Sequence, residues 1–185
     1  MTEHPAIPDA APAGAAASAR LAAAEAQLGV RLDYLREMAA AGSPVLAKIE
    51  AVAGLDRASI SSDLPLEIRS FATLGALQAD GSAECVQIHV NLDRAVGINP
   101  ALLQAALDGR AALLPGPLAL AWRFGRAVAE NDAAMDDLRQ DLEARYGRPA
   151  IMDLAFAIAV ARFYPTVKRA LGYAPDCSPV RVRAA

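Results

Sequence analysis

Apolar residues recur at helical spacing along most of the chain, and Gly, Pro and Ser fill the gaps between these runs. In the first run, Leu21, Ala24, Leu28, Val30, Leu32, Leu35 and Met38 are spaced as in a helix across residues 15–41, with a break predicted near Gly29. Gly42-Ser43-Pro44 ends this run and opens a second helix to about Gly54, because Ser caps a helix well and Pro fits its first turn. Ser61-Ser62-Asp63-Leu64-Pro65 repeats that start signal before a helix over residues 66–79. This third helix carries Leu66, Ile68, Phe71, Ala72, Leu74, Ala76 and Leu77 on most of its circumference, as a central helix covered on several sides does.

Asp80-Gly81-Ser82 breaks that helix and should cap the next, which runs to about Val96. In Gly97-Ile98-Asn99-Pro100, Asn99 is the expected N-cap and Pro100 the first helical residue of a segment reaching about Leu107. Pro115-Gly116-Pro117 precedes an amphipathic stretch to roughly Ala129, and residues 132–146 read as a charged surface helix. Gly147-Arg148-Pro149 opens the last long helix, with Ile151, Leu154, Ala155, Ile158 and Ala161 as its buried stripe. Pro165 is expected to kink or interrupt it.

Composition sharpens the picture. Of 185 residues, 55% are apolar and only 5% aromatic; the surplus is mostly alanine, which favours helices, so the predicted class is all-α. One helical domain over residues 15–175 is expected, between an N-terminal tail (1–14) read as disordered and a C-terminal tail (176–185). The net charge of −3 comes from interspersed acids and bases, which leaves no basic stripe for a nucleic acid. A membrane span is not expected, since charges interrupt every long apolar run. Residues 1–14 lack the basic start and apolar block of a signal peptide, and two cysteines make no disulfide framework; both fit a cytoplasmic protein.

The chemically capable pair is Cys85 and His89, in Gly81-Ser-Ala-Glu-Cys-Val-Gln-Ile-His-Val90; the other cysteine is Cys177 and the other histidine His4. Four residues apart on a helix, their side chains share one face, with Cβ atoms about 5–6 Å apart. Near a helix N-terminus, the backbone N–H groups and an adjacent imidazole would favour the thiolate. The plain reading of Cys85 is a small core side chain. One Cys and one His fall short of a zinc ligand set, and no phosphate loop or nucleotide fingerprint is present, so neither metal nor cofactor is expected.

From Arg69 to Gly97 the chain resembles the carboxymuconolactone decarboxylase and alkylhydroperoxidase D superfamily. The decarboxylase pattern is matched by Arg69-Ser70-Phe71-Ala72-Thr73, then Glu84-Cys85-Val86-Gln87-Ile88-His89, then Gly97. Of the peroxidase pattern Glu, Cys-x-x-Cys-x-x-x-His, only Cys85 and His89 are present: Ser82 replaces the first cysteine and Ser70 the glutamate. The decarboxylases, in turn, carry an apolar residue where Cys85 stands. The resemblance implies an alkylhydroperoxidase D-like helical fold, a homo-oligomer (dimer, trimer or hexamer) and a small-molecule substrate.

Three functions follow from it. In the first, Cys85 attacks a hydroperoxide with His89 carrying the proton, an antioxidant oxidoreductase activity without the usual paired cysteine. Cys177 is then a conceivable resolving thiol. In the second, His89 does acid–base work on a lactone or keto acid, with Arg69 available to a substrate carboxylate or to an internal pairing with Glu67 or Glu84. Glu67, one turn before Ser70, either lends the site a carboxylate or balances the helix dipole. In the third, catalysis is lost and the chain is an oligomeric binding protein.

Overall fold

The alanine-rich segments and their Gly, Pro and Ser boundaries resolve into eight α-helices in the computed structural model, which describes residues 11–58, 64–173 and 180–182. They are α1 (Ala11–Leu28), α2 (Asp33–Ala40), α3 (Pro44–Ala58), α4 (Leu66–Ala79), α5 (Ala83–Ala95), α6 (Pro100–Leu107), α7 (Gly116–Glu130) and α8 (Met135–Ala170), with a 3-10 turn at Ala111–Leu113. Among the described residues there is no strand. The protein is therefore all-α. Cys177 and His4 lie outside the described residues, as do residues 1–10 of the expected tail; α1 begins at Ala11, ahead of the periodic pattern.

The chain divides into two compact units, Met1–Val52 and Ala53–Ala185. In the first, Gly29 at φ 71° closes α1 at the predicted break. The turn is held from inside by Glu25, which accepts from the Leu32 amide at 2.7 Å and from Arg36 Nε at 2.8 Å. The Arg36 hydrogen bond holds the Glu25 carboxyl below the usual carboxylate range, against the opposing effect of burial. Ser43 receives the Val45 amide at 3.3 Å, so the Gly-Ser-Pro boundary caps α3 as its residue types predict.

In the second unit α4 is the central helix, burying Ile68 and every residue from Ser70 to Leu77. Two glycines let α7 lie directly against it. A Cβ on Gly75 would sit 2.1 Å from the Trp122 carbonyl oxygen, and one on Gly125 would sit 1.8 Å from that of Ala72. The two backbones thus touch where only hydrogen fits. Gln78 locks the crossing: it accepts from Trp122 Nε1 at 2.7 Å and donates to the Ala106 and Leu107 carbonyls at 3.2 and 3.3 Å. The latter are carbonyls at the C-terminus of α6, so one amide ties three helices together.

The two predicted C-terminal helices form the two arms of α8, separated by Gly147 with φ 80° and ψ 168°. The first arm is not wholly a surface helix, since Leu142 is fully buried. Pro165 does not end the second arm: the helix continues to Ala170, and Gly147 alone leaves helical dihedrals inside it. A proline removes one ladder bond, and here its ring is fully buried in the interior, which offsets part of that loss. An 18-residue window of α8 has mean hydropathy 1.5 and is 39% buried, so by length and composition this helix is apolar enough to cross a membrane. Its Leu154 and Ile158 belong to the core shared with α4 and α7, and we read it as a core helix on that account.

Candidate active site

The site grows out of the α4–α5 turn. Gly81 at φ 68° reverses the chain, and Ser82 is extended before α5 begins at Ala83. Ser82 was expected to cap α5, yet its side chain makes no cap hydrogen bond; the hydroxyl instead bonds the Cys85 thiol. Cys85 lies in the first turn of α5 and is 8% exposed. Glu84 turns to Lys168, a buried lysine of α8, and forms an ion pair with it.

These neighbours decide the state of the thiol. Burial pushes its pKa up; the Ser82 hydrogen bond and the Lys168 charge pull it back, while Glu84 and Asp80 push it up further. The net direction is upward. A thiolate favoured by the helix start is thus corrected by the structure, because loss of hydration outweighs the attractions.

His89 answers to different neighbours. Its Nε2 lies 3.0 Å from the Ser70 carbonyl oxygen on α4 and 3.2 Å from Asp93 Oδ2, one turn further along α5. The Ser70 hydroxyl donates a short hydrogen bond to the same Asp93 oxygen. Ser70 and Asp93 are buried and the His89 side chain is 16% exposed, so the ring is the part of the cluster that reaches toward solvent. Burial raises the Asp93 pKa; the His89 charge, the Ser70 hydrogen bond and the Arg69 charge each offset part of that rise.

Of the other sequence candidates, Ser70 is brought into the His89 cluster, while Ser82 and Glu84 belong to the surroundings of Cys85. Arg69 directs its field onto Asp93, and Glu67 stays exposed in the first turn of α4. Asp93 is the residue the sequence reading missed. Its signal was present: with Val86 and Val90 it continues the buried face of α5, where an acid needs partners.

The arrangement has a definite chemical meaning. Both contacts of the imidazole are acceptors facing Nε2, so in the neutral ring that nitrogen carries the proton and Nδ1 keeps the lone pair. A carboxylate behind Nε2 stabilises the imidazolium when Nδ1 takes up a proton. The ring is built to accept and return a proton at Nδ1. Among the described residues no three His, Cys, Asp or Glu side chains converge as a metal site requires.

Compared with known protein families, residues 44–127 match the model described as the Carboxymuconolactone decarboxylase family, a segment that includes Ser70, Cys85, His89 and Asp93. No curated protein and no solved structure matches the chain.

Proposed function

We propose, on the match of residues 44–127 to the carboxymuconolactone decarboxylase family, that the chain is an acid–base enzyme acting on a small lactone or keto acid. The supporting observation is the contact of His89 Nε2 with Asp93 at 3.2 Å and with the Ser70 carbonyl at 3.0 Å. Loss of carbon dioxide from a carboxylated lactone or β-keto acid leaves an enolate that must be protonated at carbon. His89, protonated at Nδ1, delivers that proton. Asp93 and Ser70 hold the ring and spread the charge on Nε2, and the Arg69 charge acts on Asp93.

The test is carbon dioxide release from a panel of carboxylated lactones and β-keto acids. Positioned proton transfer contributes about 10²–10⁴-fold, so His89→Gln should lose about that much turnover on any substrate the wild type processes. Unchanged turnover in His89→Gln, or no turnover of any member by the wild type, removes the reading.

A second reading places hydroperoxide reduction at Cys85, giving a sulfenic acid on sulfur and an alcohol or water as product. The Ser82 hydrogen bond and the Lys168 charge favour it, since both stabilise a thiolate. Burial opposes it, and the acid–base reading is therefore the stronger. Peroxide-dependent oxidation of Cys85, followed by mass spectrometry, tests it; a Cys85 untouched by excess peroxide excludes it.

A further inference from the structure

The turn that leads into Cys85 is gripped from the side by three basic residues of α8. Arg162 donates to both carboxylate oxygens of Asp80, at 3.0 and 3.2 Å, and Arg169 donates to the Asp80 carbonyl at 3.0 Å. Lys168, next to Arg169 in sequence, donates to Glu84, the residue before Cys85. Residues 80 and 84 are thus both pinned to the end of α8, and the Lys168 ammonium is fixed against the first turn of α5.

The acid–base chemistry at His89 makes no use of this lysine, which is 4% exposed. An ammonium is costly to bury unless it is paired, and Glu84 supplies the pair. That carboxylate is only half satisfied: Oε2 meets the lysine, while Oε1 is buried with no hydrogen-bond partner among the described residues. An orphaned oxygen has a lone pair free to take a proton. Glu84 can therefore receive the ammonium proton, which leaves a neutral amine, a nucleophile, in place of the cation. Next along α5 is the buried Cys85 thiol, which the Ser82 hydroxyl bonds and the Lys168 charge acts upon. Cys85 is the one cysteine among the described residues, so the group that the structure brings to its sulfur is an amine and not a second thiol.

We propose that, once a hydroperoxide has oxidised Cys85, the Lys168 amine condenses with the sulfenic acid to form a covalent S–N bridge between α5 and α8. The proposal rests on the second reading above, hydroperoxide reduction at Cys85. In the first step the O–O bond breaks, an S–O bond forms, and sulfur loses two electrons to the hydroperoxide, which leaves as an alcohol. In the second, Glu84 takes one proton from the ammonium and keeps it. The freed amine attacks sulfur, the N–S bond forms, and the S–O bond breaks as the hydroxyl leaves with an amine hydrogen as water. Sulfenic acids are known to condense with nitrogen in this way. Burial slows the first step but favours the second, because it holds solution thiols and further oxidant away while the amine is already in place. A small thiol reverses the bridge, returning the amine and forming a mixed disulfide that a second thiol reduces.

The experiment treats the full chain with excess tert-butyl hydroperoxide, blocks free thiols, digests near neutral pH without reductant and maps the peptides by mass spectrometry. The expected product joins the Cys85 and Lys168 peptides, is lighter than their sum by two hydrogens, and is released by dithiothreitol. Lys168→Arg keeps a cation for Glu84 but presents a guanidinium that stays protonated. It should lose the bridge and accumulate Cys85 sulfenic acid, trapped as the dimedone adduct. Glu84→Gln removes the proton acceptor and should slow the bridge. Circular dichroism melts confirm that both variants are folded. Cys85 left as sulfenic or sulfinic acid with Lys168 free, a bridge to Cys177 instead, a bridge that retains the peroxide oxygen, or equal dimedone labelling of wild type and Lys168→Arg would each overturn the proposal and leave peroxide reduction at Cys85 standing. A Cys85 untouched by excess hydroperoxide would remove both.

Discussion

Ser70 and Asp93, 23 positions apart, meet in a buried side-chain hydrogen bond that joins α4 to α5. The same two residues are the partners of His89 Nε2, through the Ser70 carbonyl and the Asp93 carboxylate. Ser70 therefore acts twice, orienting the acid with its hydroxyl and the ring with its backbone. Because α4 is the central helix of its unit, the proton-carrying ring is referenced to the most buried part of the fold.

Asp93→Asn should reveal the cost of burying that acid. Its folded pKa is raised, so the penalty is absent below the unfolded value, grows as pH rises through the folded value, and is complete above it. The stability of wild type minus Asp93→Asn should accordingly fall as pH rises from about 4 toward neutrality. Urea denaturation of both proteins across that range measures it. A difference that rises with pH would mean that Asp93 is stabilised as a carboxylate by more than its burial costs.

Gly75→Ala and Gly125→Ala should each destabilise by about 1–3 kcal/mol or more, since their methyl groups would overlap backbone rather than a movable side chain. Gly116→Ala is the control, as a Cβ there meets nothing within 4 Å, and its effect should stay within about 0.5 kcal/mol. Thermal melts of the three variants give the comparison. Equal melting temperatures would show that α4 and α7 are not in backbone contact.

Cys85 should alkylate slowly in the folded protein at neutral pH and faster as pH climbs beyond the ordinary thiol range, because burial raises its pKa. Ser82→Ala removes a hydrogen bond that favours the thiolate and should slow the reaction further at any given pH. Mass spectrometry of iodoacetamide-treated protein separates Cys85 from Cys177. Rapid modification of Cys85 at neutral pH would return the redox reading to first place.

Much of the helical plan was legible because its signals are local. Asn99 does accept the Ala101 amide at 2.9 Å, and Gly81 and Gly97 do adopt positive φ, as chain reversals between helices demand. The breaks at Gly29 and Gly147 were visible for the same reason. What failed depended on partners distant in sequence. Pro165 looked like an interruption because the buried surroundings that accommodate it cannot be read locally.

The site was half legible. Spacing placed Cys85 and His89 on one helix, but spacing does not say which neighbours each will meet. Lys168 reaches the Cys85 turn from 84 positions beyond Glu84, and Ser70 reaches His89 from 19 positions before it. Asp93 was overlooked because an acid four residues after a histidine resembles an exposed helix pair until its burial is known. Ser70 stood out in the sequence only as a replacement for a glutamate, and Ser82 as a helix cap and a replacement for a cysteine, whereas each makes a hydrogen bond that shapes the site.

The nitrogen of His89 that carries the proton is the most direct measurement. Long-range ¹H–¹⁵N NMR of the neutral ring, assigned by comparison with His89→Gln, distinguishes the two nitrogens. With Nε2 facing the Ser70 carbonyl and Asp93, the proton should reside on Nε2 and the lone pair on Nδ1. A proton found on Nδ1 would mean that neither acceptor holds the ring, and the acid–base role given to His89 would fall with it.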